Sequence, residues 1–253
     1  MRFRFIRPLH GWHEFIHEII IVVIGVLLAL AGAEAIENWR WQWQVRSTRQ
    51  SIATELATAA VQGADRISIE DCQRNRISEL AVKLNSSNGR WTANPLPGET
   101  GMVRTPHWDV KSFQRVYTVP LVGWSQDAWD TAKSAGVIDH MSHDEVASYS
   151  DIYGAIAAIR EYQDDELKIE SSLAYLSTDQ QLDNGSRIEA LSKLGQLDSL
   201  NAVNAGLSSL IIDEVKALHL KVDHAQFTEG LDQTIAGQRR YYGNCVKDVQ
   251  LKF

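Results

Sequence analysis

The chain is poor in cysteine, proline and methionine. Two cysteines in 253 residues exclude a disulfide-dense scaffold and a four-cysteine zinc module. Five prolines leave long stretches free to run as unbroken helix. Basic residues are the minority charge. Lys and Arg number 25 against 32 Asp and Glu, for a net charge of −7, which argues against a general nucleic-acid binder. No G-x-S-x-G elbow, Walker A loop, dinucleotide fingerprint or C-x-x-C is present, so no common catalytic signature can be read. There is no internal repeat and no low-complexity tract. Hydrophobic content of 44% and charged content of 23% exclude wholesale disorder and a polytopic membrane bundle. What is plentiful is tryptophan, with eight residues.

One apolar run departs from these averages. Residues 19–33 are fifteen successive apolar or glycine positions. As helix they span about 22 Å, short of a hydrocarbon core of about 30 Å. Extension to 15–36 reaches about 33 Å and places Glu18 and Glu34 near opposite ends, where carboxylates reach head groups or water. Trp12 precedes the run, and Trp39, Trp41 and Trp43 follow it. Aromatic residues at both rims mark a membrane-spanning helix and its interface anchors. The sequence therefore predicts a cytoplasmic tail over 1–14 and a transmembrane helix over 15–36. A cleaved signal peptide is the alternative: Ala31-Gly32-Ala33 fits a small-x-small cleavage site, and Arg2, Arg4 and Arg7 fit a basic leader. Glu14 and Glu18 do not suit such a leader.

Arginines are nearly balanced across the run, so orientation rests on other features. Residues 1–36 carry no net charge, and the acidic excess belongs to 37–253. The N-terminal tail is too short for a domain, and two cysteines pair only in an oxidising compartment. The expected location is a bacterial inner membrane, with the N-terminus cytoplasmic and the C-terminal domain periplasmic. Gly25, Ala29 and Ala33 recur every fourth residue, a small-residue stripe that lets another helix approach closely. The expected partners are the lipid bilayer and, through this helix, a second copy or other membrane-protein subunits.

Residues 37–84 read as a stalk helix continuous with the membrane segment. Val45, Ile52, Leu56, Ala59, Ile77, Leu80 and Leu84 keep three-to-four spacing without a proline. Residues 85–125 hold four of the five prolines together with Trp91, Trp108 and Trp124, and read as an irregular connection. Within it, 110–119 is expected to be extended or a short strand. Helix returns over 126–135 and closes at Gly136. Ser142-His143-Asp144-Glu145 is a capping box that opens a helix to about 180. A second box, Ser186 to Glu189, opens a short helix, and Asp198 caps a last long one. The fold class is mainly α: a single N-terminal transmembrane helix continuing into a long stalk helix, packed with an elongated antiparallel helical bundle over 126–253. If Cys72 and Cys245 pair, they staple the last segment onto the first.

Three clusters are candidates for chemistry. His13-Glu14-x-x-His17 spells a zinc-peptidase motif. It abuts the membrane run, where interfacial polar residues are the plainer reading. His140 and His143 lie among Asp139, Asp144 and Glu145 as weak metal candidates, although acids at a helix start are favoured by the helix dipole alone. Trp91, Trp108, Trp124 and Trp129 crowd one stretch. That stretch is the candidate binding region for a ligand, with core packing as the ordinary alternative. No cofactor is expected, and no catalytic residue is assigned.

The run from Glu18 to Leu30, EIIIVVIGVLLAL, followed by Asn38-Trp39, resembles the N-terminal helix of an uncharacterised family of bacterial single-pass membrane proteins. Its pattern is E-I-x-x-V-V-I-G-[IV]-L-I-A-L and then an N-W pair. Residues 128–136, AWDTAKSAG, resemble that family's short W-x-x-x-x-x-x-G segment before a long helix. Ala31-Gly32-Ala33-Glu34-Ala35 stands where the family has a shorter polar linker. The resemblance implies a retained membrane helix with a helical domain outside the membrane, and it carries no activity. The function expected is a non-enzymatic interaction or accessory subunit of a membrane assembly. A periplasmic ligand-binding module using the 91–129 aromatic region, and a membrane zinc peptidase, are the alternatives.

Overall fold

The computed structural model describes residues 12–93, 104–105, 108–109, 116–220, 222 and 224–251, with the side chains at 13, 14, 104, 105, 108, 109, 224 and 226 outside that description. The first helix, α1, runs from Trp12 to Ser68, 57 residues, or about 85 Å at 1.5 Å per residue. Residues 15–40 are exposed on every face. From Val45 onward one face is buried, through Ile52, Leu56, Ala60 and Ala64. The expected stalk is thus a core helix of the domain from that point.

α1 ends where another segment takes one of its carbonyls. The Ser68 carbonyl accepts from the Lys247 N–H at 2.8 Å in place of the Cys72 N–H that a continuing helix would offer. A group inserted into the i to i−4 ladder is a recognised cause of a helix break. Ile69 forms the turn, and α2 follows from Glu70 to Ser86. Cys72 and Cys245 are disulfide-bonded across 173 residues, with Cα atoms 5.2 Å apart. Closing a loop of that length stabilises by about 5 kcal/mol in the chain-entropy model.

After α2, Arg90–Trp91 (β1) pairs antiparallel with Gln180–Gln181 (β4), and Arg104–Thr105 (β2) with Trp108–Asp109 (β3). Residues 116–126 return along the helices as extended chain without strand pairing, while 110–115 lie outside the described residues. Side chains replace a ladder there. Arg76 Nε donates to the Val116 carbonyl at 2.8 Å, and Glu170 accepts from Val119 N–H at 3.0 Å. Gln163 bonds both the N–H and the carbonyl of Val122.

The short helix α3 (Asp127–Ser134) closes at Gly136, whose φ of +67° is the left-handed conformation glycine permits. A 3-10 turn, Val137–His140, leads to α4 (His143–Ser172), where the Ser142 hydroxyl accepts from the Glu145 N–H. The last helices are α5 (Asn184–Ala217) and α6 (His224–Tyr242). Three expected boundaries are corrected here. Asp183, not Ser186, caps α5 by accepting from Ser186 N–H at 2.7 Å, and Asp198 sits in mid-helix. The expected single last helix instead parts beyond Ala217, where His219 takes a φ of +46°.

Residue pairs fix the directions of the helices. Gly63 lies against Ser208, and the Asn201 amide donates to the Glu70 carbonyl, so α5 runs antiparallel to α1 and α2. Arg49 pairs with Glu145, Glu55 with Tyr153 and Arg66 with Glu166. α4 therefore runs parallel to α1, unlike the antiparallel neighbours expected. The 85–126 connection carries the chain back before α4 begins. Two apolar clusters form the core. One gathers Ile52, Leu56, Trp129, Tyr153, Ile156 and Ile211; the other gathers Leu80, Leu84, Trp91, Tyr117, Leu176 and Leu197.

Candidate functional site

The apolar part of α1 is long and apolar enough to cross a membrane, and none of it is buried in the protein. Gly25, Ala29 and Ala33 lie on this exposed part, and nothing approaches the place where a Gly25 Cβ would be. The flanking tryptophans separate into two roles. Trp12 is exposed and meets Phe15 edge-on; Trp39 and Trp43 are 70% and 62% exposed. Trp41 instead stacks on His140, with ring centroids 4.0 Å apart. The cause is helical phase. Residues four apart share a face, while Trp41 sits about 200° round from Trp39 and meets the domain.

A second contact fastens the domain about two turns higher. Arg49 donates from Nε and Nη2 to both Glu145 carboxylate oxygens at 2.7 Å, and the Tyr149 hydroxyl donates to the same carboxylate at 3.1 Å. The guanidinium holds the Glu145 carboxyl below its usual range. Burial, then the neighbouring carboxylate, pushes Tyr149 up to about 12.

The metal candidates do not assemble. His13 and Glu14 are on the first turn of α1 with side chains outside the described residues, and His17 is exposed. His140 is held by Trp41, and His143 is exposed on the first turn of α4. Among the described residues no three His, Cys, Asp or Glu side chains are grouped to hold a metal ion.

Three of the four tryptophans of the expected binding region are divided between the two core clusters. Trp91 is 1% exposed and its indole N–H donates to the Leu176 carbonyl at 2.7 Å. Trp124 and Trp129 are in the other cluster. Trp129 stacks on Tyr153 with centroids 5.4 Å apart and planes 3° apart. The side chain of Trp108 lies outside the described residues. The indoles of Trp91, Trp124 and Trp129 are buried in these cores. Glu55 secures the region, accepting from Ser125 Oγ at 2.6 Å, Ala128 N–H at 3.1 Å and Tyr153 OH at 2.5 Å. Beside it, Thr54, Thr58, Ser125 and Asp127 border a shallow groove of about 550 Å³.

A polar rung is the feature that reading for motifs missed. Three ladders of buried residues step by sevens: Ile52, Ala59, Arg66, Gln73 and Leu80; Ile152, Ile159, Glu166 and Leu173; Ala190, Leu197, Asn204 and Ile211. The polar members are Arg66 and Gln73 in the first, Glu166 in the second and Asn204 in the third, and Arg66, Glu166 and Asn204 stand at one level between α1, α4 and α5. Arg66 Nη2 donates to Glu166 Oε1, and both side chains are almost wholly buried. Burial pushes the Glu166 carboxyl up; the Arg66 guanidinium acts against it. Arg66 Nε and Glu166 Oε2 have no protein partner among the described residues, so the pair is incompletely compensated. A polar position in an otherwise apolar seam favours one register at some cost in stability. The spacing of seven from Ala59, Ile159 and Leu197 was the signal available in the sequence.

No protein-family model matches the chain, and neither a curated protein nor a solved structure matches it. The site is therefore described by its geometry. An exposed apolar helix is continuous with a domain's central helix, and the domain is clasped to it by Trp41–His140 and Arg49–Glu145.

Proposed function

We propose that this is a single-pass protein of a bacterial inner membrane that acts as a non-enzymatic interaction or accessory subunit of a membrane assembly. Its N-terminus lies in the cytoplasm, and the helical domain stands in the periplasm. One observation carries the reading: α1 is apolar and exposed on all sides over its first half, then becomes the core helix of the domain without a break. Lipid is the environment that suits such a surface. The Cys72–Cys245 bond suits an oxidising compartment. The likeness of residues 18–30 to a family of bacterial single-pass membrane proteins points the same way.

Three measurements test it. Protein extracted from membranes should have the mass of the uncleaved chain and should resist alkaline carbonate. A cysteine introduced near the N-terminus should escape a membrane-impermeant thiol reagent in intact cells, while Ser199→Cys on α5 is labelled. Loss of residues 1–33 would remove the anchor, and labelling of the N-terminal cysteine would reverse the topology. For the accessory role, a mild-detergent pull-down should retain a stoichiometric membrane protein that Ala29→Ile loses. Equal retention by both chains would sink a role for the helix stripe.

A further inference from the structure

One corner of the domain reaches down to the level of the rim tryptophans. Contacts along α1 give its height. Glu55 accepts from the Ala128 N–H at the start of α3, and His140, just past the end of α3, stacks on Trp41. The descent from the level of Glu55 to that of Trp41 is about 21 Å at 1.5 Å per residue. α4 then climbs away, from the Arg49–Glu145 pair to the Glu55–Tyr153 pair. The other turn on this side of the domain, between α5 and α6, stays higher. Ser208 lies against Gly63, and the rest of α5, to Ala217, brings its end only to about 20 Å above Trp41. Trp39 and Trp43, both well exposed, stand about 3 Å below and above Trp41 along the axis. The corner between α3 and α4 therefore shares the height of these two indoles. On it Ser134, Ala135, Asp139, His140, Ser142 and His143 are exposed. Asp139 is the one formally charged residue from 134 to 143, and its Oδ2 turns back to 3.9 Å from where a Gly136 Cβ would stand. Asp144 follows on the first turn of α4. Arg40, with Glu37 at 4.0 Å, sets its guanidinium 5.6 Å from the centre of the same Trp41 ring.

We infer that this corner, residues 134–143, is a foot on which the domain rests on the headgroup layer of a phospholipid bilayer. The inference deepens the membrane-subunit reading and rests on it. Height selects the occupant. With the apolar run ending at Ile36, Trp41 stands about 7.5 Å beyond it along the axis. The headgroup layer extends about 5–8 Å beyond the hydrocarbon on each side. Side chains of a helix lean toward its N-terminus, which here is toward the apolar half, so the Trp41–His140 stack sits lower still. The chemistry of the corner suits the same layer. Hydroxyls, imidazoles and the neighbouring Arg40 guanidinium are donors that phosphodiester oxygens accept from. A corner of this polarity has no place in the hydrocarbon below. The domain then meets the membrane at two points, α1 and the foot beside it, which sets the direction in which it leans.

Ala135→Cys and His143→Cys each place a thiol-linked fluorophore on the foot of the full chain, since Cys72 and Cys245 are already paired. The labelled protein is reconstituted into vesicles of phosphatidylcholine and phosphatidylglycerol. Phosphatidylcholine carrying a nitroxide on its headgroup should remove most of the fluorescence at both positions. It should leave a label at Ser199→Cys, exposed on α5, almost unchanged. Two foot positions guard against one variant that fails to fold. A Leu27→Cys label reports on the anchor separately, and a nitroxide deep in the acyl chains should quench it. Foot labels quenched no more than Ser199→Cys, or more by the acyl nitroxide than by the headgroup one, would overturn the inference; a quenched Leu27→Cys label in that case leaves the anchor standing. An unquenched Leu27→Cys label would sink the membrane reading, and this inference with it.

Discussion

The two halves of α1 share one backbone geometry and differ in how their apolar residues are arranged around the axis. Over 15–36 apolar side chains surround the helix, and every one is exposed. Over 45–68 they fall on one face, with Ser47, Thr54 and Thr58 on the other. An all-round apolar helix needs an apolar surrounding, while a one-sided helix makes a core against its neighbours. The lesson is that helix formation says nothing about solvent. Angular distribution says nearly everything.

The comparison can be broken at three levels. The largest effect belongs to the polar rung, which only the domain half possesses. Glu166→Leu leaves Arg66 charged and buried, and should cost about 3–5 kcal/mol in urea unfolding. Adding Arg66→Met should restore most of that loss. A neutral single variant would mean that the pair is not desolvated in solution. Next comes the apolar face itself. Leu56, fully buried, should cost about 2–5 kcal/mol on change to Ala. Leu27→Ala, in the exposed half, should leave the domain's unfolding unchanged in the same detergent. Similar losses for both would erase the distinction between the halves.

The smallest effect lies at the boundary. The Arg49–Glu145 clasp is partly exposed, and Arg49→Ala should cost under about 1 kcal/mol at neutral pH. Glu145 has a folded-state pKa below its reference value of 4.5. Its contribution is therefore present above that pH and is lost as pH falls through the folded value. Unfolding of the parent and of Arg49→Ala should converge in acid; a gap that widens there would reverse the assignment.

Much of this was legible in local pattern. The helix opening at Ser142 and the stop at Gly136 follow from residues three or fewer positions apart. The exposed run of α1 follows from composition. The break at Ile69 was not legible, because its cause is the Lys247 N–H, distant in sequence and adjacent in space. The parallel direction of α4 depends on the path of 85–126, whose irregular composition specifies no geometry. Trp91, Trp124 and Trp129 are neighbours in sequence, which suggested a shared pocket. The fold assigns Trp91 to one core and Trp124 and Trp129 to the other. Arg66 and Glu166 read singly as solvated charges, and only the seven-residue ladder betrays them.

The absence of any proline or glycine from 33 to 62 has a mechanical consequence. With no swivel between the exposed apolar half of α1 and the domain, the two share a single rotational phase. Each residue inserted between Ile36 and Val45 would turn the domain by about 100° about the helix axis and lift it by about 1.5 Å. The length of that short segment is thus an angular setting. It decides which side of the domain lies above each side of the apolar half of α1.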